Sequence, residues 1–251
     1  MLRYRKEGAI AWLTLDRPEQ LNALHRDFWA ELSEALAIAD ADDEVRAVVL
    51  SGNGRAFCTG GDIIGFDDLG DAGDRRAFLR EAFAAMRALD CLRKPTIAAI
   101  HGHCVAGGCE LTMMCDIVVA DDTLRIGVAE ITVGLTPGPG LGRGSSHVNL
   151  HWMKYMVMTG ETLDAEEARL AGLVNKVTPE GEHLAAAEKL ARKLASQAPL
   201  AIEVGKKAVT HQYPEHFDHA MDAVSFLQST DDFREGIAAF AEKRDRRFEG
   251  R

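Results

Sequence analysis

Pro95-Thr-Ile-Ala-Ala-Ile100, followed by Gly102-His-Cys-Val-Ala-Gly-Gly-Cys-Glu-Leu-Thr-Met-Met-Cys115 and then by Asp116-Ile-Val-Val-Ala120, decides the fold. Two apolar runs too short for helices flank a segment in which the paired glycines 107 and 108 open a helical pattern running to Met114. A strand–helix–strand unit of this kind makes parallel strands joined by right-handed crossovers. The alternation extends upstream. Ala9 to Leu15 reads as a strand ending at Asp16-Arg17-Pro18, and Asp27 to Ala41 as a helix with Phe28, Leu32, Leu36 and Ala39 at helical spacing. Val45 to Leu50 reads as a buried strand, and Arg75 to Leu92 as a helix. Downstream of about Thr178 the strand signals stop. Glu182 to Gln197, Leu200 to Val209, Phe217 to Gln228 and Asp232 to Arg247 read as helices, separated by Pro199, Tyr213-Pro214 and Ser229-Thr230. The expected class is α/β, with a core over residues 1–195 and a C-terminal helical region over 196–251 that packs on the core or on a neighbouring subunit.

Bulk properties exclude several functions. A chain of 251 residues, 47% hydrophobic and 27% charged, buries one large core or two unequal ones. The sequence holds no run of about eighteen uncharged apolar residues, and Met1-Leu-Arg-Tyr-Arg-Lys-Glu-Gly8 lacks the pattern of a signal peptide, so the cytoplasm is the expected compartment. Cys58, Cys91, Cys104, Cys109 and Cys115 are odd in number and form no C-x-x-C pair, which argues for reduced thiols rather than disulfides or zinc. A net charge of −10 argues against nucleic-acid and anionic-membrane surfaces. The visible cationic cluster is Lys243-Arg244-Asp245-Arg246-Arg247.

Two glycine turns and two glutamates carry the candidate chemistry. Gly60 and Gly61, within Gly54-Arg-Ala-Phe-Cys-Thr-Gly-Gly-Asp-Ile63, permit a main-chain N–H to approach a ligand closely. Gly107 and Gly108 do the same at a helix start, where unpaired amides favour developing negative charge. Glu110 falls in the first turn among Cys109, Leu111, Met113 and Met114, so an enclosed carboxylate is expected. Glu130 is a second acid in an apolar stretch, Ile126-Gly-Val-Ala-Glu-Ile-Thr-Val-Gly-Leu135. If the two face one pocket, their pKa values separate and one serves as acid, the other as base.

These residues resemble the crotonase, or enoyl-CoA hydratase/isomerase, superfamily over nearly the whole chain. The resemblance runs from Leu15-Asp-Arg-Pro-Glu-Gln-Leu-Asn-Ala-Leu24 through both glycine turns to Thr159-Gly-Glu161, Ala168-Arg-Leu-Ala-Gly-Leu-Val-Asn175 and Glu235-Gly-Ile-Ala-Ala-Phe-Ala-Glu-Lys-Arg244. It implies a spiral of ββα turns with a C-terminal trimerisation region, trimers often stacking as hexamers. It implies that the amides of Gly61 and Gly107 form an oxyanion hole for a thioester enolate, that Glu110 activates water for attack at C3, and that Glu130 delivers a proton to C2. Coenzyme A contacts fall by resemblance on Gly61, Asp62, Ile63, Gly107, Phe240 and Lys243. Coenzyme A is part of an acyl-CoA substrate, and no separate cofactor or metal is implied.

The sequence departs from the family pattern in places. Glu19 stands where many relatives carry Lys near the nucleotide. Ala129 replaces the proline commonly found before Glu130, and Gly138-Pro-Gly-Leu-Gly-Arg-Gly-Ser-Ser146 is an unusual turn from which a reshaped acyl pocket is expected. His147 and His151 lie four apart, sharing a face if this stretch is one helix, but no H-E-x-x-H or third ligand accompanies them. His101 and His103 flank a strand-end glycine and read as structural. G-x-G-x-x-G, P-loop and G-x-S-x-G motifs are absent. The leading expectation is hydration of a 2-enoyl-CoA or its reverse; double-bond isomerisation, hydrolysis or C–C cleavage, and non-catalytic acyl-CoA or RNA binding stand as alternatives.

Overall fold

A computed structural model of the chain describes residues 1–62, 72–210 and 228–251. Strands β1 (Leu2–Glu7), β2 (Ile10–Leu15), β3 (Ala47–Gly52), β5 (Thr96–Ile100), β7 (Ile117–Asp121) and β10 (Lys176–Thr178) form one sheet in that order. All its pairings are parallel except the edge pair β1·β2. A smaller sheet runs β4 (Ala56–Cys58), β6 (His103–Val105), β8 (Arg125–Gly127) and β9 (Leu163–Asp164). Consecutive strands β3 and β4, β5 and β6, and β7 and β8 each place one member in each sheet. Helix α1 (Phe28–Ala41) precedes the first such turn; α2 (Ala72–Asp90) and α3 (Gly107–Met113) follow the first two, so the chain advances as a spiral of ββα turns.

Burial on both faces explains why the inner strands β2, β3, β5 and β7 of the large sheet read as continuous apolar runs. On β3, Val48 and Leu50 join a core with Phe28, Leu32 and Leu36 of α1 and Ala85 and Leu89 of α2. The alternate residues Ala47 and Val49 face Ala187 and Ala191 of α7 (His183–Ala195). The two strand faces therefore serve two helical layers.

The structure adds elements that the sequence did not announce. β1 carries alternating charge, Leu-Arg-Tyr-Arg-Lys-Glu, because it is an edge strand with one side in water. The smaller sheet is built of strands of two or three residues, too short to show a period. Between β8 and β9 lie a 3-10 turn over Glu130–Val133, α4 (Pro139–His147) and α5 (Leu150–Thr159); α6 (Ala165–Ala171) follows β9.

In the C-terminal region, α8 (Pro199–Thr210) is pinned to the sheet by Lys206 Nζ, 2.8 Å from Asp116 Oδ2. The expected helix Phe217 to Gln228 lies, except for its last residue, outside the described residues. The last helix is α9 (Asp231–Glu242), shorter than the Asp232 to Arg247 expected from its periodicity. It stops because Lys243 turns left-handed at φ 54° and the tail folds back. Buried Asp232 accepts the amides of Glu249 at 2.7 Å and Gly250 at 2.9 Å, and Arg244 Nη1 bonds Glu235 at 2.6 Å. Those acids outcompete further helix and neutralise part of the cationic cluster.

Asn22, fully buried, locks the chain entering the smaller sheet. Its amide group donates to Asn53 O at 2.9 Å and Ala56 O at 2.8 Å, and its Oδ1 accepts the Arg17 N–H at 2.8 Å. Asn22→Ala leaves three backbone groups unpaired, and the expected loss is about 3 kcal/mol in urea unfolding with an unchanged m-value. A loss below about 1 kcal/mol contradicts this account of the loop.

Candidate active site

The two glycine turns meet where the smaller sheet adjoins α3. Leu24 forms a parallel bridge with Gly61, using the Leu24 N–H to Gly60 O at 2.7 Å and the Asp62 N–H to Leu24 O at 3.0 Å. That pattern leaves the Gly61 amide without a backbone partner among the described residues. Gly107 is the first residue of α3, and its N–H has no intrahelical partner. A Cβ built on Gly107 would lie 3.8 Å from the Gly61 nitrogen, so the two amides flank one small volume. Gly60, at φ +88°, has no room for a side chain: its Cβ would stand 2.7 Å from the Cβ of Ala106.

Ala106 itself is held at φ 50° and ψ −126°, a conformation that costs a non-glycine residue about 1–3 kcal/mol. Its N–H bonds Gly127 O at 2.9 Å and its carbonyl accepts the Glu110 N–H at 3.0 Å, so strand β8 and helix α3 fix the strained peptide. The strain sets the direction in which the Gly107 amide points.

Glu110 is 6% exposed on α3, as the apolar neighbours required. Its Oε1 accepts the Gly140 N–H at 2.8 Å, at the start of α4. A Cβ at Gly140 would fall 2.7 Å from Glu110 Cγ and 2.9 Å from Oε1, so only glycine lets α4 approach this closely. Burial pushes the carboxyl up to about 7; the Gly140 and Gly138 amides oppose the rise and the Glu130 charge adds to it. Glu130, in its 3-10 turn, is raised by burial, and its Oε2 is buried without a hydrogen-bond partner among the described residues. The Glu130 charge is felt at Glu110, and both acids are felt at the buried Cys109 thiol.

The remaining candidates divide. Asp62 follows the Gly61 amide and lies 3.5 Å from Arg17 Nη1. Ile63 and the side chain of Phe240 lie outside the described residues. Lys243 is exposed at the end of α9. His147 and His151 do not share a helix: α4 ends at His147, Val148 is extended, and Asn149 caps α5 by accepting the His151 N–H at 3.0 Å. The face-sharing pair expected from their spacing is thereby corrected. Among the described residues no cluster of three His, Cys, Asp or Glu side chains is placed to hold a metal ion. His101 bonds Gly54 O through Nε2 at 2.8 Å and stacks on His183 at 4.6 Å.

Gly138 and Gly140 have a role that their sequence context hides. The run reads as an irregular turn along the chain, whereas it starts a helix with Pro139 at its first position, a placement for which proline's fixed φ is suited.

The sequence profile of the enoyl-CoA hydratase/isomerase family matches residues 5–251. The chain belongs to that family. A short-chain-enoyl-CoA hydratase of Clostridium acetobutylicum is 36% identical over 95% of the chain and 94% of its own length. A 2,3-dehydroadipyl-CoA hydratase of Escherichia coli is 34% identical over 98% and 97%. The crystal structure of an enoyl-CoA hydratase from Bacillus anthracis matches at a TM-score of 0.94 and 28% identity, covering 100% of this chain and 99% of that one. Membership in the enoyl-CoA hydratase/isomerase family accounts for the spiral of two sheets, which the solved relative shares throughout.

Because Glu130 raises the Glu110 carboxyl by charge repulsion, Glu130→Gln is expected to move the Glu110 titration midpoint from about 7 toward acid. Carboxyl-carbon NMR across pH 4 to 9 reads this directly. An unmoved midpoint means that the two acids do not share a field.

Proposed function

We propose that the protein is an enoyl-CoA hydratase that adds water across the 2,3 double bond of an enoyl-CoA thioester, or removes it in reverse. The observation that carries this reading is the enclosed Glu110 carboxyl, pushed up to about 7 by burial, within the field of a second acid and three residues beyond the helix-start amide of Gly107.

The thioester oxygen accepts the Gly61 and Gly107 amides, which stabilise it as the enolate forms. One such donor is worth about 2.7–4 kcal/mol of barrier. Ionised Glu110 takes a proton from water as its oxygen attacks C3, and Glu130, whose pKa burial raises and whose Oε2 has no hydrogen-bond partner among the described residues, gives a proton to C2. A base near 7 is ionised in about half the molecules at neutral pH without becoming a poor acceptor. Asp62, Ile63, Phe240 and Lys243 are proposed coenzyme A contacts. With Arg244 drawn to Glu235, Lys243 is the exposed cation at the end of α9.

The apolar residues Ile131, Val133 and Leu135, each 43–54% exposed just past Glu130, support assembly as a homotrimer or hexamer. Five free thiols support a reducing, cytoplasmic setting, and no described helix is long and apolar enough to cross a membrane.

Loss of the conjugated absorbance of crotonyl-CoA measures the reaction. Wild type is expected to turn it over, with kcat reduced about 10²–10⁴-fold in Glu110→Gln and in Glu130→Gln. The kcat/KM of wild type is expected to fall on the acid side as Glu110 is protonated below about 7. Failure of wild type to hydrate any enoyl-CoA overturns the assignment. Conversion of a 3-enoyl-CoA that survives Glu110→Gln reassigns the protein as an isomerase.

A further inference from the structure

A cavity of about 440 Å³ lies between α2 and α4, lined by Phe83, Arg87, Asp90, Met114, Pro139 and Arg143 among others. That volume falls in the range of small-molecule sites. The cavity adjoins the carboxylate site. A Cβ on Gly138 would stand 2.9 Å from the Phe83 ring and 3.5 Å from Glu110 Oε1, and Pro139 directly precedes the amide that holds that carboxylate. Met114 follows Glu110 by four residues and lies about 6 Å further from Gly107 along the helix direction. Arg143 follows Gly140 by three residues on α4.

Among the described residues lining this cavity the charges do not cancel. Arg143 Nη2 is 2.6 Å from Asp90 Oδ1, but its Nε is buried and meets no acceptor among the described residues. Among the described residues Arg87 forms no ion pair with a carboxylate. Among the described lining residues two guanidinium groups stand against one carboxylate, beside an apolar wall of Phe83, Met114 and Pro139. His147, one turn beyond Arg143, is held below its ordinary pKa by burial and by that arginine, against the opposing pull of Asp90. A guanidinium offers parallel N–H groups from Nε and Nη, the geometry that a carboxylate accepts.

We propose that this cavity receives the distal end of the acyl chain, and that Arg143, assisted by Arg87, selects acyl-CoA thioesters whose chain ends in a carboxylate. The proposal rests on the hydratase reading for which carbon sits at Glu110. With C3 there, the helical rise of about 6 Å to the level of Met114 corresponds to an acyl chain of about six to eight carbons. A neutral short chain fills the apolar wall but leaves the Arg143 Nε unmatched. A terminal carboxylate completes it.

Calorimetric titration with two saturated thioesters, adipyl-CoA and hexanoyl-CoA, tests the selection without turnover. Adipyl-CoA is expected to bind wild type at least about tenfold more tightly. Arg143→Gln is expected to erase that preference by weakening adipyl-CoA alone, and Asp90→Asn, which frees the guanidinium, to widen it. Arg87→Gln alters an exposed residue and spares the Asp90 pair; it is expected to narrow the preference about threefold even if Arg143→Gln does not fold. Equal affinity of wild type for both thioesters overturns the proposal, as does a preference that persists in Arg87→Gln and in folded Arg143→Gln. Neither result depends on crotonyl-CoA hydration, so failure of the hydratase assignment is read separately.

Discussion

The hydrogen bond from the Gly140 amide to the buried Glu110 carboxylate is the interaction on which the working part of the molecule depends. An ionised carboxylate in an apolar enclosure is costly unless donors meet it. Here the start of α4 supplies them, Gly138 and Gly140 both lowering a pKa that burial alone would leave higher. The balance sets the carboxyl near 7, the range a general base requires. The same contact fixes α4 against α3, and the absence of a side chain at residue 140 lets the helix come that close. Through α4 the contact also brings Pro139 and Arg143 to α2, so the carboxylate's environment and the neighbouring cavity have one cause.

Around this contact the fold separates rigidity from chemistry. The large parallel sheet, packed on both faces, carries no candidate catalytic group. The smaller sheet, with strands of two or three residues, carries the amides of Gly61 and Gly107 at its margin. Three of the short strands, β4, β6 and β8, directly follow the long, largely buried strands β3, β5 and β7, which position them. The strained peptide at Ala106 persists for the same reason, being hydrogen-bonded to β8 on one side and to α3 on the other. Strain of this size is small against the burial of the surrounding core.

Charge is managed locally in a strongly acidic chain. At the C-terminus, Glu235 is held down to about 2 by Arg244 and by the Arg247 amide, which ties the returning tail to α9. The cationic cluster is thereby divided: Arg244 serves the fold, whereas Lys243 is left exposed. A charge run read along the sequence cannot reveal that division, because the acid that captures Arg244 lies nine residues away on the preceding helix.

By itself the sequence determined the alternation of buried strands and helices, since both follow from local apolar periodicity. It also located Glu110, since a carboxylate flanked by apolar neighbours in the first turn of a buried helix is carried into the interior with them. Both glycine turns were marked too and, by resemblance, the family. It did not disclose β1, whose charged alternation belongs to an edge, nor the smaller sheet, whose strands are shorter than any detectable period. Glu130 was visible only as an acid in an apolar run; its influence on Glu110 is a matter of distance between segments about twenty residues apart along the chain. The run from Gly138 looks like a turn because glycine and proline usually interrupt helices. Only tertiary structure decided otherwise, because the helix forms with its first amides turned onto a carboxylate from another part of the chain. The same folding broke the apparent pairing of His147 and His151 and set Arg143 beside Asp90. Such side chains converge through the packing of distant segments, which local spacing does not encode.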